Sequence, residues 1–300
     1  MSARADVPLS DRVAPLVRRV ARLPRPLLLA LDVDGTLAPI VDDPAAARVP
    51  AATARTVRAL CALPRVHVAL VTGRDAASLG RVARVSGAWR ALEHGRVVVA
   101  PGARLRTRPL SAAERGRLQA FERWIHEHAR DLGARLERKP ESRSLHVREL
   151  ARRSPARAAR LLDEAWRAAD DAGLHPRAGR GFVEGTLTRA DKGSAVAAIA
   201  QATGARATVY LGDDATDEPA IRRAGSLGGL GIFVRSNERP LAPRGASATL
   251  DGLAEVAVLL TALVRPLREP RARVKPRARL AGARRVRRSA SRRGPSRRSR

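Results

Sequence analysis

The sequence predicts an α/β protein: a doubly wound parallel sheet with a smaller α+β unit inserted into it. Three observations carry this expectation. Four short apolar runs, at 26–33, 66–71, 208–211 and 231–234, each end abruptly in polar residues or glycine, as strands buried in a parallel sheet do. Helical patterns alternate with them, at 51–62, 75–85, 192–202 and 217–224, which places helices on both faces of the sheet. The stretch 104–182 breaks the rhythm, with two helices and strand-like segments that lack the fully apolar character.

Taken in order, residues 1–25 form a leader that holds a helix from Ser10, as N-cap, to Leu23, stopped by Pro24. The core follows as 26–103 and 183–264, split by the insertion at 104–182. Inside the insertion Ser111 and Glu114 have capping-box spacing and open a helix that runs to about Arg130. Ser154 and Pro155 open another, closed by Gly173. Between the two, Ser142 to Leu150 alternates, with Leu145, Val147 and Glu149 on one side and Ser144, His146 and Arg148 on the other, as in a half-exposed antiparallel strand. From 265 to 300 the chain is Arg, Pro, Ser and Ala without periodicity, and disorder is expected.

Composition removes several classes of function. The longest apolar stretch, Leu253 to Val264, is twelve residues long and carries Glu255, too short for a bilayer crossing. No membrane partner is expected, and no secretory signal is read in the first 25 residues. The single cysteine, Cys61, cannot close an internal disulfide, which points to the cytoplasm. The formal charge of +29 resembles a nucleic-acid signal until it is located. Sixteen Arg or Lys against one acid, Glu269, lie in 265–300, about half of the total. Lysine occurs at Lys139, Lys192 and Lys275 alone, so the excess is an arginine bias of the whole chain rather than one surface. Seven aromatic residues are too few for a stacking platform. Nucleic acid is therefore not the expected partner, although the arginine tail keeps a polyanion-binding reading open.

The chemistry is concentrated at strand ends. Asp32 and Asp34 are two residues apart where the first apolar run stops, so both carboxylates project toward one side. With Asp213 at another strand end they make a compact all-oxygen set of the kind magnesium prefers. Asp213, Asp214, Asp217 and Glu218 crowd four acids into six residues of a strongly basic chain, which again points to a cation. They could equally form the acidic first turn of a helix. Lys192 opens a helix, where a positive charge opposes the helix dipole, and that conflict favours a functional reason for it.

The segment Leu31-Asp32-Val33-Asp34-Gly35-Thr36-Leu37 resembles the first motif of the haloacid dehalogenase-like phosphohydrolases, and Thr72, Lys192 and Gly212-Asp213-Asp214 follow in the proper order. The closer resemblance is to the trehalose-6-phosphate phosphatase family. It rests on 31–40, on Val71-Thr72-Gly73-Arg74, on Asp191-Lys192-Gly193 and on Leu211-Gly212-Asp213-Asp214-Ala215-Thr216-Asp217-Glu218, the most discriminating stretch. The resemblance implies a Rossmann-like core with a cap domain. It also implies Asp32 as nucleophile, Asp34 as acid and base, Thr72 and Lys192 as phosphate-positioning groups, and Mg²⁺ held by Asp32, the Asp34 carbonyl and Asp213. Asp214 and Asp217 become outer ligands or holders of metal-bound water. The resemblance also implies Gly73 and Arg74, in the loop after Thr72, as residues that bind the phosphorylated substrate. Arg138, Lys139, Ser142, His146, Arg148 and Glu184 are the expected sugar contacts, His146 and Arg148 resembling a family His-x-Arg element. Glu93-His94-Gly95 also resembles a family segment, His94 being as readily a packed residue as a ligand.

The resemblance thus implies a magnesium-dependent phosphatase of trehalose 6-phosphate. The chain departs from the family pattern before Lys192, at 184–190, where the usual proline is missing, and after Glu218, where an aromatic is missing. Both departures bear on the sugar rather than on the chemistry. Another sugar phosphate, a polyanion binder acting through 265–300, and a regulatory subunit without turnover are the alternatives. Association with a synthase is not legible.

Overall fold

The computed structural model describes residues 11–105, 109–179 and 181–269. The chain opens with α1 (Val13–Ala21), β1 (Leu27–Asp32), α2 (Ala51–Cys61), β2 (Val66–Val71), α3 (Ala76–Val82), β3 (Trp89–Leu92) and β4 (Val97–Val99). There follow α4 (Ala112–Ala129), β5 (Arg135–Lys139), β6 (Ser142–His146), α5 (Arg148–Arg153), α6 (Pro155–Asp171), β7 (His175–Gly179) and β8 (Phe182–Thr186). The last part holds α7 (Lys192–Thr203), β9 (Ala207–Gly212), α8 (Glu218–Ser226), β10 (Leu230–Arg235), β11 (Ala248–Asp251) and α9 (Gly252–Arg268).

The main sheet has the order β11-β10-β9-β1-β2-β3-β4, parallel except for the β3–β4 pair. Every residue of β1 and of β9 is buried, as the uninterrupted apolar runs require of strands covered on both faces. Successive side chains of β1 alternate between two cores. Leu27, Leu29 and Leu31 join the layer built by α1, α2 and α9, and Leu28 and Ala30 join the layer built by α7 and α8. Asp32 continues the even series and so emerges on the α7 side. The register sets Asp32 beside Val71 and Leu31 beside Leu211, which brings Asp32, Thr72 and Asp213 to one level at the carboxyl edge of the sheet.

Two expectations about the termini are corrected. The leader is part of the core: Val13, Leu16 and Val20 are buried in the main cluster, and α1 packs on α9. Its helix starts after Arg12; Ser10, the expected cap, lies outside the described residues. Arg25 fastens the junction, donating to the carbonyls of Leu267 at 2.7 Å and Pro266 at 3.0 Å. At the other end helical order continues through 265–268, because Leu263 and Leu267, one turn apart, both reach the core. The rest of the expected disordered tail, 270–300, lies outside the described residues.

The insertion builds a second, antiparallel sheet in the order β5-β6-β8-β7, one face of which packs on α4 and α6 through Phe121, Leu145, Leu161 and Val183. α4 carries the full capping box expected of Ser111 and Glu114. The expected boundary at 182/183 is displaced, since β8 runs from Phe182 to Thr186 and carries Glu184 on the second sheet. The expected strand over 142–150 is also shorter. It ends at His146; the Val147 amide donates to the Gly181 carbonyl, and 148–153 coil into α5 with Leu150 as the buried anchor. Arg148 therefore does not share a strand face with His146. Both sheets lie within one unit that ends at Glu269.

If α1 is core rather than appendage, Leu16→Ala removes buried apolar volume and lowers stability by about 2–5 kcal/mol in urea unfolding; a loss under about 0.5 kcal/mol, the range of a surface substitution, marks α1 as detachable.

Candidate active site

At the carboxyl edge of the main sheet the Lys192 ammonium donates to Asp32 Oδ1 at 2.6 Å and to Asp217 Oδ1 at 2.6 Å, with all three residues buried. Lys192 is the first residue of α7, fixed there by Asp191, whose side chain caps the helix through the Ser194 amide. Burial alone pushes a lysine toward neutrality; here the carboxylates of Asp217 and Asp32 outweigh it and hold the group charged, well above its ordinary range. Asp32 is driven the other way. Burial and the nearby charges of Asp217 and Asp213 raise it well above the usual carboxylate range despite Lys192.

One oxygen each of Asp32, Asp213 and Asp217 lies within 4.8 Å of the others. The three acids are not equivalent. Asp217 also accepts from the Tyr210 hydroxyl at 2.6 Å and from the amides of Asp213 at 3.0 Å and Asp214 at 2.8 Å, so both its oxygens are spent on protein donors. Asp217 is thus the holder of Lys192 and of the 212–214 turn, and Asp32 and Asp213 are the pair suited to a cation. Gly35 makes room for this: its φ of +82° is left-handed, and a Cβ there would stand 2.2 Å from Asp213 Oδ2. Three converging carboxylates and one ammonium leave surplus negative charge, and a purely oxygen donor set fits a hard divalent ion such as Mg²⁺.

The loop that follows β2 lies beside this centre. Asp34 is held by the Arg74 fork, with Nε and Nη2 each 2.7 Å from a carboxylate oxygen, and Arg74 Nη1 donates to Ser78. The guanidinium thus serves Asp34 in this arrangement rather than a substrate. Thr72 is fully buried, and its hydroxyl accepts the Arg74 amide at 3.1 Å. Gly73 lies against the His94 ring, where a Cβ would stand 2.4 Å from Nε2. His94 is buried and has a left-handed φ of 57°, its neighbour Glu93 one of 50°; the amides of both donate back to the loop, to the carbonyls of Thr72 and Arg74. Burial, the largest influence, pushes His94 down to about 3, so the ring is neutral.

The second sheet turns a polar face toward the loop. Its register aligns Lys139, Ser142 and Thr186 in one row and Glu137, Ser144, Glu184 and Arg177 in the next. Glu184 is the hub: it accepts from Ser142 at 2.7 Å and Lys139 at 3.1 Å, and its other oxygen lies 3.6 Å from His94 Nε2. Burial raises Glu184; Lys139, His94 and Ser142 together overcome it and bring the group down to about 2. Because His94 is neutral, Lys139 is the partner that matters. Further pairs cross from the second sheet's unit to the core: Arg96 with Glu141, Arg152 with Asp42 at 2.9 Å, and Arg148 with Asp42 at 3.7 Å and Glu238 at 3.8 Å.

Of the expected sugar contacts, Lys139, Ser142 and Glu184 therefore come together, and His146 shares their face, bonded to Glu137 at 2.8 Å with its ring tilted against that of Phe182. Arg138 does not. One position out of step with Lys139, it points to the opposite face and pairs with Glu122 of α4. Arg148 lies apart from them as well, exposed and paired with Asp42 and Glu238. Asp217 in its holding role, Arg177, Glu137 and Ser144 were not singled out. Strand parity would have found the last three once β5 and β7 were recognised, since each shares a row with Glu184.

A family model described as trehalose-phosphatase matches residues 30–252. The chain belongs to that family. It is 35% identical over 236 residues to the trehalose-phosphate phosphatase of Mycobacterium avium (strain 104), covering 75% of this chain and 59% of that one. It is 32% identical over 277 residues to an uncharacterized glycosyl hydrolase of Mycobacterium tuberculosis, covering 89% of this chain and 20% of that one. The chain thus spans less than two thirds of the length of these relatives. Among solved structures, the C-terminal domain of Candida albicans trehalose-6-phosphate phosphatase superposes with a TM-score of 0.71 at 21% identity over 86% of this chain and 98% of that one. The Aspergillus fumigatus trehalose-6-phosphate phosphatase does so with 0.61 at 25% over 86% and 99%.

If Asp217 holds Lys192 and binds no ion itself, Asp217→Asn lowers the phosphate-release rate about 10–100-fold while the Mg²⁺ concentration for half-activation moves less than about threefold; a large shift in metal requirement makes Asp217 a ligand. The Glu184 charge should be visible in stability. A folded-state value near 2 against an ordinary 4.5 contributes stability that is complete above about 4.5 and lost as pH falls toward 2. Glu184→Gln is therefore expected to cost about 3 kcal/mol at pH 7, with the gap to the unaltered chain narrowing as urea titrations move from pH 5 to pH 3; a gap independent of pH refutes the ionised hub.

Proposed function

We propose that this chain is a phosphoric monoester hydrolase that converts trehalose 6-phosphate to trehalose and phosphate through an aspartyl-phosphate on Asp32. The carrying observation is the buried Lys192–Asp32 pair beside Asp213, with Thr72 at the same level of the sheet, in a chain of the trehalose-phosphatase family. Asp32 and Asp213 would hold Mg²⁺ together with the Asp34 carbonyl, and the ion would supply positive charge to offset repulsion between an anionic nucleophile and an anionic phosphoryl group.

Lys192 binds Oδ1 of Asp32 and fixes the carboxylate, and the other oxygen attacks phosphorus as the bond to the sugar oxygen breaks. Asp34 donates a proton to that oxygen, then takes one from the water that attacks the phosphorus of the aspartyl-phosphate, which returns Asp32 as a carboxylate. Thr72 accepts the Arg74 amide and keeps its own proton to donate to a phosphate oxygen. Arg74, now engaged by Asp34, offers the same two-pronged donor to phosphate when Asp34 is released for proton transfer.

The buried polar face around Glu184 supports a polyhydroxylated leaving group. A carboxylate, an ammonium and two hydroxyls beside the phosphate loop reject a ligand that leaves them unpaired. Among the described residues no helix is long and apolar enough to cross a membrane, and we place the reaction in the cytoplasm. A panel of phosphate esters assayed with Mg²⁺ tests the reading. Trehalose 6-phosphate should be preferred over glucose 6-phosphate by at least about tenfold in kcat/KM, a chelator should abolish release, and Asp32→Asn should lower kcat by at least about 10³-fold. Equal use of both sugars overturns the substrate, and an active Asp32→Asn overturns the mechanism.

A further inference from the structure

Away from the strand ends, Arg48, Arg55, Arg58, Arg81 and Arg84 line a cavity of about 620 Å³ between the start of α2 and the segment that ends α3. No acidic residue lines it, and among the described residues none of the five arginines makes an ion pair. The arrangement contrasts with arginines that brace the fold, such as Arg96, Arg143 and Arg239, each of which meets a carboxylate. Two of the five are held in place by backbone oxygen. Arg48 donates to the carbonyl of Ala47 at 2.7 Å, and Arg58 to that of Arg84 at 2.7 Å. Arg55, Arg81 and Arg84 are exposed. The apolar part of the wall is Val49, Ala54 and Val82, tied together where the Val49 amide donates to the Val82 carbonyl at 2.9 Å.

Five like charges around one concavity repel one another, a cost that an anion in the cavity removes. The guanidinium fork matches phosphate oxygens two at a time. A single orthophosphate offers too few oxygens for five such forks, and 620 Å³ is the size of pocket that takes a nucleotide-sized molecule rather than a lone ion. The start of α2 adds to the field: it follows Pro50 without a side-chain cap, and a helix N-terminus carries partial positive charge. We propose that this cavity binds a small organic anion carrying two or more linked phosphoryl groups, of the size of a nucleoside triphosphate. The site shares no residue with the phosphatase centre.

Calorimetric titration of the full chain in excess chelator, where no ester is turned over, tests this with ATP, pyrophosphate and orthophosphate as probes. ATP and pyrophosphate are expected to bind, orthophosphate at least about tenfold more weakly. The double variant Arg55→Ala/Arg81→Ala should lose at least about tenfold in ATP affinity while its phosphate-release rate with Mg²⁺ stays unchanged, which also reports that it folds. The arginine-rich segment after 269 is common to both proteins, so the difference between them reports the cavity. Equal ATP affinity in the two proteins, orthophosphate as tight as pyrophosphate, or no binding at all overturns the proposal. So does a short DNA duplex that displaces ATP through the same two arginines, which would make the surface a nucleic-acid contact.

Discussion

Lys192 donates to Asp32 and Asp217 from a buried position, and the candidate active site takes its form from that one ammonium. Three carboxylates crowd around a single positive charge, since Asp213 lies in the same cluster. Burying unbalanced charge is expensive, and removing one member of such a set leaves the others uncompensated. The balance is met in two ways. Asp217 is satisfied by four protein donors, and Asp32 and Asp213 present an all-oxygen pair that fits a hard cation. Burial first, and then this surplus of negative charge, holds Asp32 well above the usual carboxylate range.

The sheet converts this local chemistry into a geometry. Parallel pairing in register brings the ends of β1, β2 and β9 to one edge, so Asp32, Thr72 and Asp213, distant in sequence, come to one level. Alternation along β1 sends Asp32 to the α7 layer, where the first residue of that helix is the lysine. The second sheet adds a polar wall centred on Glu184. His94, strained and neutral, lies where that wall meets the loop after β2, in contact with Gly73 on one side and near Glu184 on the other.

Much of this was legible in the sequence because the signals were local. Buried parallel strands announce themselves as unbroken apolar runs, and the acids at 32, 34 and 213 stand where those runs stop. The insertion was harder to read for a physical reason. Its strands are half polar and short, so a turn at Val147 that ends β6 and starts α5 looks like continued alternation, and Arg148 was placed on the wrong surface in consequence. Arg138 failed on parity: one step along β5 separates the face toward the loop from the face toward Glu122. The leader was underestimated because three apolar residues at helical spacing say nothing about their partner, and α9 lies more than two hundred residues away. Asp217 read as one more acid in a cluster; its role depends on Tyr210 and two backbone amides that only the folded turn brings to it.

The account's central claim is that Asp32, held by Lys192, becomes covalently phosphorylated. Acid-quenched single turnover with trehalose 6-phosphate labelled in its phosphate, followed by peptide mapping, addresses that claim most directly. The expected result is a transient label on the peptide containing Asp32, retained in acid and released by hydroxylamine as an acyl phosphate is. Label on any other peptide, or full turnover with no labelled protein at any time within the first cycle, would contradict it.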